Sequence, residues 1–194
     1  MSTVVVSHGM HAAGDSVWFP YLRDALSGDG HRVEVPDLPA PATPRPVPWL
    51  AAYGAVVGGT DPADTVLVGH SIGGVNLLRL LEAHDPDRDG RFTGAVLVAT
   101  PARDVGYEVL EEFFAAPLDW PRIRRAAASI RVLTAVDDPV LAPDPIEHVR
   151  TFVTELGATA TVTATGAHFG ATPDDHIELP EVVHLIRDCL TGPR

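Results

Sequence analysis

The chain has 194 residues, with 26 acidic against 14 basic side chains and a formal charge of −12. That length suits one α/β domain, and that charge repels phosphate backbones and anionic lipid, so nucleic acid and membrane surfaces are not expected partners. All 14 basic residues are Arg and the only cysteine is Cys189, which excludes Schiff-base chemistry, a P-loop lysine, an intrachain disulfide and a thiolate zinc cage.

Strand-like runs are expected at 3–7, 32–35, 65–69, 95–99, 131–136 and 160–164. The run at 3–7 follows the opening residues directly, with no leader-like segment. No apolar stretch approaches the roughly 18 residues of a membrane span, so a cytoplasmic globule is expected. Most of these runs are continuously apolar, the pattern of parallel strands covered on both faces. After the first, Trp18, Leu22, Ala25 and Leu26 fall at helical spacing. From Pro36 to Pro48, six prolines in thirteen residues read as a stiff surface connector. Asp85-Pro86-Asp87-Arg88-Asp89-Gly90 matches the start of a calcium loop, but the position that must supply a bidentate carboxylate is Val96. It reads as a polar turn.

Farther on, Tyr107 to Trp120 carries Leu110, Phe113, Phe114 and Leu118 and is the one insertion long enough to roof a site. Ile146, Val149, Val153 and Leu156 make a second helical stripe, opened by Asp144, Pro145 and Glu147 in cap, first-turn and capping-box positions. Val182, Val183, Ile186, Cys189 and Leu190 make a third, which gives Cys189 a packing role. Strand alternating with helix predicts an α/β fold on a mostly parallel sheet, as one domain over 1–194.

Chemistry concentrates after the third strand, in Gly69-His70-Ser71-Ile72-Gly73-Gly74. A serine on a tight strand-to-helix turn projects its hydroxyl above the sheet, and flanking glycines let the two backbones pass closely. The helix start aims free N–H groups at negative charge developing beside Ser71. A serine nucleophile needs a base and a group that orients the base. Strand ends deliver Asp137-Asp138-Pro139 and Gly166-Ala167-His168-Phe169 to the same sheet edge. Either aspartate can serve as the acid on this reading. His168 is the preferred base over His148 and His184, which lie in helical patterns, and over His176 in an acidic stretch. The His8-Gly9-Met10-His11 loop can add the Met10 N–H to that of Ile72 as an oxyanion pocket. His8 and His11 lack a third ligand of matching spacing, so no metal is expected.

Together these features resemble the α/β-hydrolases, and more narrowly the small, nearly capless serine hydrolases similar to retinoblastoma-binding protein nine. The resemblance spans His8-Gly9, Pro36-Asp37-Leu38-Pro39, the 69–74 turn, Asp119-Trp120-Pro121-Arg122-Ile123, Asp137-Asp138-Pro139 and Gly166-Ala167-His168-Phe169. It departs at Val140-Leu141-Ala142-Pro143, where the family places proline one position earlier. It implies a three-layer sandwich with strand order 2-1-3-4-5-6, and a short helical cap near 104–125. It also implies Ser71 as nucleophile, Asp138 as acid and His168 as base. The expected activity is hydrolysis of a small ester, thioester or amide through an acyl-enzyme, without cofactor. His11, Phe113, Phe114, Trp120 and Phe169 are expected around the acyl group. The rival readings are a silent scaffold on the same fold, or a lyase or acyltransferase using the same residues. Turnover should be unchanged by EDTA and by added zinc or calcium; an EDTA loss restored by metal would contradict this reading.

Overall fold

Six strands form one parallel sheet in the order β2-β1-β3-β4-β5-β6 in the computed structural model, which describes residues 1–170 and 178–192. They are β1 (Thr3–Ser7), β2 (Arg32–Glu34), β3 (Thr65–His70), β4 (Gly94–Val98), β5 (Ile130–Ala135) and β6 (Thr159–Thr163). The helices are α1 (Phe19–Gly28), α2 (Pro46–Val57), α3 (Ile72–Ala83), the single turn α4 (Pro86–Asp89), α5 (Trp120–Ala126), α6 (Pro145–Leu156) and α7 (Pro180–Thr191). The order is the one expected, and it makes β1 and β3 neighbours with Ser7 paired to Gly69. Their following loops therefore open side by side at the carboxyl edge, where parallel sheets keep their sites. No helix among the described residues is long and apolar enough to cross a membrane.

Side-chain alternation divides the strands between two cores. Val5, Leu67, Ala95, Leu97 and Val132 face α2, α3, α5 and α6, while Val4, Val6, Val66, Val68, Val96, Val98 and Leu133 face α1 and α7. Both faces are covered, which explains the near-absence of polar residues from the central strands. Cys189 packs against Gly94, where an added Cβ would lie 2.6 Å from its Sγ. Burial raises the thiol pKa, in keeping with an inert packing residue.

Two elements depart from the sequence pattern, and a third takes the form of the polar turn expected. The proline-rich stretch does not remain a connector to Pro48: α2 starts at Pro46, because proline fits the first helical turn, where no intrahelical N–H bond is lost. Trp49, Tyr53 and Val57 then fall on its buried face. In α6 the buried stripe is His148, Val149, Phe152 and Leu156, whereas Val153 is exposed. Asp144 caps Ile146 N–H at 2.9 Å, but Glu147 pairs with Arg103 rather than closing a capping box. The calcium-like stretch is helical turn α4, with Asp85 capping Asp87 N–H at 3.1 Å and Asp87 paired to Arg125.

The expected cap over 104–125 consists of a 3₁₀ segment, Glu108–Phe114, followed by α5. It is tied down from α3. Arg79 donates to the carbonyls of Phe113, Ala116 and Pro117, and its ion-pair partner Glu82 accepts the Asp119 N–H at 2.6 Å.

The start of α3 packs with almost no clearance. An added Cβ on Gly73 would lie 2.2 Å from the Ser7 carbonyl oxygen and 2.3 Å from that of His8, and one on Gly74 would lie 2.0 Å from Thr100 Oγ1. Main chain cannot yield as a side chain can. Gly73→Ala should therefore cost about 3 kcal/mol or more of stability by urea unfolding. Adding Thr100→Ala, which removes Oγ1 and Cγ2 but leaves the Cβ at 2.8 Å, should relieve Gly74→Ala in part and Gly73→Ala not at all; equal relief of both would contradict the packing assigned here.

Candidate active site

Ser71 sits between β3 and α3 with φ 55° and ψ −130°. A side chain disfavours that backbone, and the structure maintains it by pairing Ser71 N–H with the Val98 carbonyl at 2.9 Å on one side and starting α3 on the other. Gly69, where an added Cβ would lie 2.4 Å from Gly74 Cα, lets the turn close. The result is an outward-facing hydroxyl beside a helix N-terminus.

The loops after β5 and β6 bring Asp138 and His168 to it. His168 Nε2 lies 2.8 Å from Ser71 Oγ, and Nδ1 lies 2.8 and 3.0 Å from the two carboxylate oxygens of Asp138. These distances fit Nδ1–H donating to Asp138 while Nε2 accepts from the serine hydroxyl. The Asp138 side chain is fully buried, and its Oδ1 also accepts the N–H groups of Val140 and Leu141 at 2.8 and 3.2 Å. The neighbouring Asp137 points elsewhere and accepts the Ala167 N–H at 2.8 Å. Of the tandem pair, only Asp138 reaches the imidazole.

The remaining histidines separate by environment. His8 is buried, its Nε2 accepting from Leu38 N–H and its Nδ1 donating to the Gly9 carbonyl, so both ring nitrogens are engaged. His148 is buried in α6 and accepts the Ala102 N–H; His184 is exposed on α7. His176 lies outside the described residues. His70, which the sequence reading did not single out, is 4% exposed, with Nε2 2.9 Å from the main-chain carbonyl of His168.

A cavity of about 470 Å³ opens over Ser71 and His168. Met10, Val17, Leu110 and Val140 supply apolar wall, and His11, Asp15, Ser16 and Tyr107 are its polar members. Of the expected acyl-pocket residues, only His11 lines it. Phe113 is buried against Trp49 in the core, Trp120 packs on Phe152, and Phe114 rests partly buried on the same core. Phe169 is turned down into the opposite core. Phe113 packs inward against Trp49 of α2, and Trp120 against Phe152 of α6. Met10 borders the cavity and Ile72 is the first residue of α3; among the described residues no protein acceptor takes either N–H. Among the described residues Asp15 is the only lining carboxylate, and no Arg lines the cavity.

Comparison with known proteins agrees with this architecture. The serine hydrolase family model matches residues 4–188. YdeN of Bacillus subtilis is 29% identical over 167 residues, covering 86% of this chain and 85% of its own. The crystal structure of the same ydeN gene product superposes with a TM-score of 0.87 at 25% identity, over 99% of this chain and 100% of that one. Est1E from Butyrivibrio proteoclasticus, at 13% identity, shares the fold with a TM-score of 0.73, over 98% of this chain and 89% of that one.

Burial lowers the pKa of His8, His70 and His148, and with the neighbouring His168 it pushes His70 down to about 3. Unfolded, each group returns to about 6.5, so below that pH the unfolded chain binds more protons than the native one. The stability from keeping these rings neutral is therefore fully present above pH 6.5 and is lost as pH falls. His70 alone should remove about 2 kcal/mol between pH 7 and pH 5. Urea unfolding at both values checks this; equal or greater stability at pH 5 would contradict it.

Proposed function

The chain belongs to the serine hydrolase family, and on that premise we propose that it cleaves a small, uncharged ester, thioester or amide, with Ser71 as nucleophile, His168 as general base and Asp138 as the orienting acid. The observation that carries this reading is the continuous hydrogen-bonded chain from Ser71 Oγ through both nitrogens of His168 to Asp138. It lies at the cavity.

In the proposed reaction Ser71 Oγ attacks the substrate carbonyl carbon as its proton passes to His168 Nε2. Asp138 stabilises the resulting imidazolium while its own bonds to Val140 and Leu141 N–H keep it aligned. The N–H groups of Met10 and Ile72 receive the tetrahedral oxyanion, with the α3 dipole behind Ile72. His168 returns the proton to the leaving alcohol, thiol or amine. It then takes a proton from the water that attacks the acyl carbon and returns it to Ser71 Oγ as the acyl–serine bond breaks. No step calls for a metal or cofactor.

Substrate charge follows from the walls. Among the described residues the cavity offers apolar surface from Met10, Val17, Leu110 and Val140 and one carboxylate, that of Asp15. An anionic acyl group would meet a carboxylate with no lining guanidinium to answer it. A neutral butyrate ester should exceed the corresponding anionic hemisuccinate by about tenfold in kcat/KM, a free-energy difference of about 1.4 kcal/mol. Preference for the hemisuccinate would overturn the substrate class. Asp138→Asn should lower kcat by up to about 10⁴-fold by favouring the wrong tautomer. Asp137 accepts the Ala167 N–H and, among the described residues, does not reach the His168 imidazole, so Asp137→Asn should cost about tenfold. If Asp137→Asn were the crippled variant, the acid would have to be reassigned.

A further inference from the structure

The loop that carries His168 is made of unfavourable backbone. Gly166, Ala167, Phe169 and Gly170 have φ values of 149°, 44°, 51° and 117°, and the two non-glycines bear the steric cost of a Cβ in that region. Such a conformation persists only where its surroundings over-determine it. Three side chains from other parts of the fold do so. Asp137 accepts the Ala167 N–H at 2.8 Å, Trp18 Nε1–H donates to the Phe169 carbonyl at 3.1 Å, and His70 Nε2 meets the His168 carbonyl at 2.9 Å.

The His70 tether differs from the other two in both its ends. One end is the residue that holds the imidazole; the other is the chain neighbour of Ser71. The ring is itself fixed, edge-on to Trp18 and Phe19 at centroid distances of 5.9 and 6.4 Å, and tilted 5.5 Å from the His168 imidazole. Its Nδ1 is buried with no partner among the described residues, and the Gly9 backbone packs so near that a Cβ there would lie 3.3 Å from it. Protonating Nδ1 would bury an N–H with no acceptor. The ring is left as a one-sided donor, with Nε2–H aimed at a single carbonyl.

Resting on the reading of Ser71 and His168 as nucleophile and base, we propose that His70 is a positioning residue for that base. Its bond to the His168 carbonyl couples the elbow to the strained loop, so that the Ser71–His168 distance is set through main chain as well as through Asp138. Small displacements of a reacting group are costly to rate while leaving substrate binding nearly intact.

The test compares His70→Gln, whose amide nitrogen extends to the Nε2 position, with His70→Asn, which is too short, and His70→Leu. The readouts are kcat and KM on a neutral 4-nitrophenyl ester, and the low-field proton resonance of His168 Nδ1–H against Asp138. The expected result is a kcat loss on the order of 30-fold in Asn and Leu with KM within about twofold, and a broadened resonance. Gln should keep kcat within about threefold and retain the resonance. Equal losses in Gln and Asn, or full kcat in Leu, would overturn the proposal. If Leu fails to fold, the Gln and Asn pair, alike in polarity, decides alone. Wild-type turnover in Ser71→Ala would instead overturn the reading of the site, and the resonance in Gln against Asn would still decide the role of His70.

Discussion

The start of α3 presses against the main-chain carbonyls of Ser7 and His8 so closely that only hydrogen fits at Gly73. This contact fixes where the helix begins relative to β1, and with it the backbone of Ser71. Because β1 and β3 are neighbours through Ser7 and Gly69, the same approach brings the loop after β1, with Met10, beside the first turn of α3. The hydroxyl and the helix N-terminus thus come from one packing constraint, and Met10 is carried to the same edge. A side chain at Gly73 would push all of them apart together.

Strain at the elbow is matched by strain in the loop of His168, and the two are stabilised from different directions. The elbow relies on backbone close packing over the sheet. The His168 loop relies on polar tethers from Asp137, Trp18 and His70, residues distant in sequence. Asp138 adds a further restraint through its own bonds to Val140 and Leu141 N–H. The buried polar groups near the site are largely paired, as the low dielectric there requires. Among the described residues the exception beside Ser71 is His70 Nδ1, in a ring that burial keeps neutral. Stability runs through these same few bonds, so acid that protonates the buried rings also loosens the loop of His168.

The sheet was legible because parallel strands covered on both faces must be apolar throughout, as Val66 to Val68 and Val96 to Val98 are. Ser71 could be located because a glycine-flanked serine between strand and helix has few other reasons to exist, and His168 and Asp138 because they follow strand ends. The tandem aspartate could not be resolved by spacing alone; the separate destinations of Asp137 and Asp138 depend on which loop atoms each meets. Phe113 and Trp120 were misplaced because an aromatic residue in an insertion carries no sign of which side it packs on, and the helix that receives Phe113 begins among prolines. Val153 was misplaced because several apolar residues in α6 permit more than one stripe, and His148 rather than Val153 found a partner inside. His70 gave no periodic signal. Its acceptor lies 98 residues away, so only the fold could reveal the pairing.

The central claim is that one activated serine does the chemistry. Ser16 also borders the cavity, but its hydroxyl accepts the Ala13 N–H and, among the described residues, no histidine bonds to it; Ser7 is buried beneath Asn76. Reaction with a fluorophosphonate, followed by intact-mass and peptide mapping, tests the claim most directly. The account predicts one phosphonyl group per chain, on Ser71, and none in Ser71→Ala. Labelling of another residue in the native protein, or undiminished labelling of Ser71→Ala, would contradict it.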